Sequence, residues 1–171
     1  MLVGEGEEVT RARDNLLLDE FQVPVSLLFH KPNFYTLEYT DEGVAYAWTG
    51  PSPDLEFQVP VERDSEKIFR LSFISAIEEL QVTEAKAFVD NQSAFFRIDC
   101  DGKARGIVIA IPPCKTQCLT EITVQLKRTV SPSEIGQGVD GRQLGLAVTG
   151  YDVFRPRTYV SKMEVNRKCE N

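Results

Sequence analysis

A single histidine, a single tryptophan, two methionines and four cysteines stand among 171 residues, and each scarcity closes off some chemistry. His30 follows "VSLLF" and precedes Lys31-Pro32. A lone histidine at a strand end fits a surface or capping role, and no Ser–His–Asp order is readable around it. The serines lack a G-x-S-x-G elbow. No G-x-x-x-x-G-K-[ST] is present to cradle a phosphate. In a reducing cytosol Cys100, Cys114, Cys118 and Cys169 read as free thiols rather than a disulfide framework. Cys114 and Cys118, in "PPCKTQCLT", are spaced more loosely than C-x2-C, and no second compact Cys/His pair follows to complete a zinc site. "DCDG" is too short a run for calcium. No cofactor is expected.

Positive charge is also scarce. Nineteen Lys and Arg against 26 Asp and Glu leave a net charge of −7, which suits neither a nucleic-acid backbone nor an anionic membrane surface. Lys127-Arg128 and Arg155-Pro-Arg157 are short basic spots only. Met1 to Glu20 is acidic and has no apolar h-region, so it does not read as a secretory signal. No window reaches the roughly 18 apolar residues of a membrane helix. A cytoplasmic chain with no nucleic-acid partner and no membrane insertion is expected. What is present, 42% hydrophobic and 26% charged residues, is enough for one globular domain with a continuous core.

The dominant period is two. In "DLEFQVPV", Leu55, Phe57, Val59 and Val61 alternate with Glu56, Gln58 and Pro60, which gives a strand one apolar face. "KIFRLSFISAI" and "TEITVQLKR" alternate in the same way, whereas "RGIVIAI" is apolar throughout and reads as a central strand covered on both sides. "VPVSLLF", "FYTLEY", "VAYAW", "AKAFVD", "AFFRID", "LGLAVTGYDVF" and "TYVSKMEV" are further strands, separated by turn signals such as Asp41-Glu42-Gly43, Asp90-Asn91 and Asp101-Gly102. About ten short strands predict an all-β fold: an antiparallel, jelly-roll-like β-sandwich. Residues 21–171 form that single domain, and residues 1–20 a tether or short N-terminal helix. One helical turn is expected at 131–136, where Ser131 caps, Pro132 starts and Gly136 stops it. "SAIEELQVTEA" fits either a helix or a strand end and turn.

Asp140 and Arg142, in "GVDGRQLG", read first as a charge-assisted clasp closing a loop before a strand, with Arg142 in a ligand cleft as the alternative. Trp48 precedes a proline–glycine loop. It is either core or a flat surface on which a sugar ring stacks, with Tyr46 and Thr49 as polar companions. Tyr35, Tyr39 and Tyr151 are secondary candidates. Glu78 and Glu79 are adjacent, so on a strand they face opposite ways and cannot act as a paired acid and base.

The segment "SPSEIGQGVDGRQLGLAVTGYDV" resembles the closing signature of a β-sandwich module attached to bacterial surface-polysaccharide glycosyltransferases and FkbM-type methyltransferases. Ser131, Pro132, Glu134, Gly136, Asp140, Arg142, Leu144 and Gly145 match it, with Ile135 in place of leucine. "AYAWTGPSPDLEFQVPV" is similar to the module's W-T-G-P segment, with Asp54 where a small residue is commoner. "AKAFVDNQSAFFRI" is similar to its V-x-V-x-[VL]-[ND]-G strand pair, but Gln92 follows Asn91 instead of glycine. The resemblance spans roughly residues 33–159. It implies a non-catalytic, carbohydrate-binding-like accessory module whose partner is a glycosyltransferase or methyltransferase. A site at Trp48, Thr49, Asp54, Arg142 and Tyr151 would then hold a glycan. The alternatives are a protein-interaction or homodimer-forming sandwich, pairing through the edge strand "TYVSKMEV", and a jelly-roll glycan hydrolase or esterase.

Overall fold

The computed structural model describes residues 16–101, 104–115 and 118–157. The strands are β1 (Phe21–Pro24), β2 (Phe34–Tyr39), β3 (Ala45–Thr49), β4 (Asp54–Val59), β5 (Lys67–Ala76), β6 (Lys86–Val89), β7 (Gln92–Ala94), β8 (Phe96–Asp101), β9 (Ala104–Ile111), β10 (Thr120–Gln125) and β11 (Leu146–Phe154). They pair antiparallel into two sheets. The larger runs β2-β3-β11-β5-β9-β8, with β1 added along the far half of β11, and the smaller runs β4-β10-β6-β7. The protein is an all-β antiparallel sandwich. No helix among the described residues is long and apolar enough to cross a membrane.

Period-two patterning explains the core. Leu55, Phe57 and Val59 of β4 face Val124, Ile122 and Thr120 of β10 in register, and Val89 of β6 stands opposite Ile122 on the other side. These side chains meet Phe69, Leu71 and Phe73 of β5, Ile107, Ile109 and Ile111 of β9, and the inward residues of β11 in one buried cluster. Alternation is interrupted in β9, where Gly106 through Ile109 are all buried. Val108 packs with Ile68 and Phe154 in a second, smaller cluster away from the main core. The reading of "RGIVIAI" as covered on both faces holds for these residues, although the strand lies next to the sheet's edge.

One expectation needs correction, and one open alternative is resolved. In "VPVSLLF" the strand ends at Pro24, and Val25–Leu27 form a 3-10 turn in which Leu28 N–H donates to the Val25 carbonyl at 2.8 Å. Val25 and Leu28 are buried while Leu27 is exposed, so the apolar residues recur every third position, as a 3-10 turn requires, and not every second. "SAIEELQVTEA" divides: β5 ends at Ala76 and Leu80–Thr83 form a one-turn helix, α1. Its buried Gln81 donates from Nε2 to the carbonyls of Leu144 (2.8 Å) and Arg128 (3.2 Å).

Residues 131–136 coil through successive turns, with Glu134 N–H bonding the Ser131 carbonyl and Gln137 N–H the Pro132 carbonyl, and Gly136 closes them at φ +74°. Leu18, within the segment read as a tether, makes a parallel bridge to Val61, and Asp19 pairs with both Lys67 and Arg155. "TYVSKMEV" lies outside the described residues.

Candidate functional site

The site is built on β3. Ala47 and Thr49 are buried in the sandwich, so the intervening Tyr46 and Trp48 face the other way, half-buried on the outer surface of the larger sheet. Their rings meet edge to face at 6.3 Å. On β2, Glu38 stands opposite Tyr46 in register and accepts its phenolic hydrogen at 3.0 Å. Burial and this contact with a carboxylate raise the Tyr46 pKa above its ordinary value.

The loop before β11 supplies the second half. Gly145 N–H donates to the Thr49 carbonyl at 2.7 Å, and Leu146 N–H to the Thr49 hydroxyl at 2.9 Å. A Cβ at Gly145 would lie 2.5 Å from that hydroxyl oxygen and 2.7 Å from Leu126 Cδ1, so only glycine lets the loop base press so closely on β3. This anchors Arg142 beside Glu38. Its Nη1 donates to Glu38 Oε1 at 2.9 Å, its Nη2 to Asp140 Oδ2 at 2.8 Å, and its Nε to both Asp140 oxygens at 3.2 and 3.0 Å. The Asp140 carboxylate also receives the Arg142 backbone N–H at 2.9 Å. The guanidinium carbon lies 5.2 Å from the centre of the Tyr35 ring, a cation–π stack. Hydrogen bonds from Arg142 hold the Asp140 carboxyl below the usual carboxylate range, and the Asp140 carboxylate in turn raises the guanidinium pKa.

A continuous strip therefore runs Trp48, Tyr46, Glu38, Arg142, Asp140, with Tyr35 beneath the guanidinium. Asp140 and Arg142 do clasp each other, and Glu38 is a third member that spacing could not reveal, being 104 residues away from Arg142.

Of the five residues expected to line a glycan site, Trp48 and Arg142 belong to this strip. Thr49 is fully buried and braces β11. Tyr151, 4% exposed, packs in the core against Phe57 and Phe69, with ring centroids 5.5 and 5.1 Å away. The bulged register of β11 on either side of Val148 turns this tyrosine inward. Asp54 lies on the smaller sheet and accepts from Gln125 Nε2 at 2.9 Å. Thr49, Asp54 and Tyr151 thus serve packing and sheet pairing rather than the strip.

The remaining candidates are dispersed. Glu78 pairs with Arg128 and Glu79 with Arg105, so the adjacent acids are held in separate ion pairs. His30 stands edge-on to Phe29. Cys100, Cys114 and Cys118 are not in disulfides, and no group of three or more His, Cys, Asp or Glu among the described residues is placed to hold a metal ion. Concave space lies elsewhere, for instance about 380 Å³ lined by Ile68, Val108, Ala110 and Phe95 and about 320 Å³ over Glu56, Gln58 and Thr123. Neither of these spaces is lined by Trp48, Tyr46, Glu38, Arg142 or Asp140. No protein-family model matches the chain, and no curated protein matches it.

Proposed function

We propose that this protein is a non-catalytic, carbohydrate-binding-like accessory module of bacterial surface-polysaccharide synthesis, with its glycan site on the Trp48–Arg142 strip. The observation that carries the reading is the pairing of outward aromatic rings, Tyr46 and Trp48, with a row of fixed hydrogen-bonding groups, Glu38, Arg142 and Asp140. Sugars present an apolar C–H face and a rim of hydroxyls, and a flat ring beside oriented polar groups complements both. A further support is spatial. The two segments that resemble the glycosyltransferase- and methyltransferase-associated module, around Trp48–Pro51 and 129–145, pack on each other through Gly145–Thr49 and Thr129–Pro51 hydrogen bonds. The partner enzyme in this reading is a glycosyltransferase or an FkbM-type methyltransferase. A polar strip displaces water with little net gain, so affinity is weak.

A glycan array run with wild type, Trp48→Ala and Arg142→Ala tests it. Binding by wild type that is lost in a folded Trp48→Ala variant is the expected result. The absence of any glycan ligand removes the proposal and leaves the protein-interaction sandwich, for which a different face speaks. Phe95, 85% exposed, stands at the bend between β7 and β8, the edge strands of the two sheets. Sedimentation that shows concentration-dependent mass, abolished by Phe95→Ser, supports that second reading.

A further inference from the structure

The charge arrangement of the strip points to the class of saccharide it takes, and this step rests on the glycan reading above. We infer that the strip selects uncharged, hydroxyl-rich glycans and discriminates against uronic-acid and other anionic ones. An anionic sugar would need Arg142, the one cation of the strip, and three of its five N–H donors are already taken by carboxylates. Asp140 takes the Nε/Nη2 edge in a bidentate pair and Glu38 takes Nη1. The Tyr35 ring covers one flat face of the group. The three charges sum to −1. A further carboxylate, Glu134, accepts from Nε2 of Gln143, the residue after Arg142, at 3.1 and 3.2 Å.

A carboxylate ligand placed here meets net negative charge and competes with Glu38 and Asp140 for the guanidinium. Hydroxyl groups face no such obstacle. Ionised carboxylates are acceptor-only with spare lone pairs, and the charge-assisted bonds they take from neutral O–H donors are stronger than neutral ones. Arg142 is a positioning residue in this account: it holds two acceptors at fixed places beside Tyr46 and Trp48 instead of gripping the ligand's charge.

The test is isothermal titration of the wild-type chain with a panel of oligosaccharides, each neutral backbone paired with the same backbone oxidised at C6 to the carboxylate, in low and high salt. Neutral members are expected to bind, and their carboxylate forms to bind at least about tenfold more weakly, since like-charge juxtaposition costs several kcal/mol. The gap should narrow in high salt and again in Glu38→Gln, which removes one negative charge while keeping an acceptor. Carboxylate forms that bind as well as, or better than, their neutral parents overturn the selectivity and leave the glycan site standing. No binding by any member overturns the glycan site itself, and the selectivity with it.

Discussion

Gly106→Ala should unfold the protein at distinctly lower temperature, although alanine is the better strand residue. Gly106 on β9 lies between Ser72 of β5 and Asp99 of β8 in register, and the Arg70 side chain crosses over it to reach Asp99. Nε of Arg70 bonds both carboxylate oxygens at 3.0 and 3.1 Å, and Nη2 stands 3.0 Å from Oδ1 without hydrogen-bond geometry. Both side chains are nearly dry, at 8% and 3% exposure. A Cβ on Gly106 would come within 2.5 Å of Arg70 Nε and 2.7 Å of its Cζ, and closer still to the Asp99 carboxylate. Overpacking costs about 1–3 kcal/mol, and deleting one partner of a buried ion pair about 3–5 kcal/mol. Displacing the pair without deleting it belongs between these, at about 2–3 kcal/mol. For a chain of 171 residues this corresponds to a fall in Tm of roughly 5–10 °C. Differential scanning calorimetry and urea titration followed by circular dichroism measure it. The control is the same substitution in an Arg70→Met/Asp99→Leu background. There the obstructing charges are gone and alanine's advantage over glycine, about 0.5–1 kcal/mol, should emerge as stabilisation. An unchanged Tm in the wild-type background, or an equal loss in both, refutes the reasoning.

Predictions at three further residues rest on the contacts described in Results. Arg142→Ala should cost about 1 kcal/mol in urea titration, because its side chain is one-third exposed and solvent screens its ion pairs. Arg142→Lys should not restore the loss, since an ammonium cannot reproduce the bidentate contact with Asp140. Tyr151→Ala should destabilise by about 3–5 kcal/mol, the cost of emptying an aromatic from a core, whereas a purely ligand-contacting tyrosine would leave the urea midpoint unmoved. Asp19 is held at a pKa of about 2, from an ordinary 3.8, by hydrogen bonds from Arg155 and Lys67. A depressed folded-state pKa contributes stability that is full above about pH 4 and is lost as pH falls towards 2. Asp19→Asn should therefore flatten the acid limb of the stability profile between pH 4 and 2, read as the urea midpoint at each pH.

Legibility followed periodicity. Strands such as β4 and β10 have one dry face and one wet face, so Leu55-Phe57-Val59 and Ile122-Val124 betray their state by alternation alone. "VPVSLLF" misleads because a run of apolar residues without alternation carries no period, and its every-third burial shows only once Val25 and Leu28 have partners. β7 was not separable from β8 in "NQSAFFRID": the bend at Phe95 transfers the chain from one sheet to the other with no turn residue to mark it.

The site was legible only where its chemistry is local. Asp140 and Arg142 are two residues apart and bond each other, so the clasp could be read from "GVDGR"; the addition of Glu38 depends on β2 and β3 pairing as a hairpin that sets Glu38 beside Tyr46. The same dependence explains why Thr49 and Tyr151 were misleading as ligand groups. On β3, parity decides: if Trp48 faces outward, Thr49 must face inward, so the two adjacent residues cannot both line one surface. On β11 parity is interrupted by the bulges around Val148, and the side to which Tyr151 turns is set by that irregularity and not by counting from Ala147. Parity also limits what the strip can recruit. Contributions from β3 come from alternate positions, so its aromatic surface is confined to Tyr46 and Trp48, and added breadth must come from β2 and the 131–145 loop. That is where Tyr35, Glu38, Asp140 and Arg142 stand.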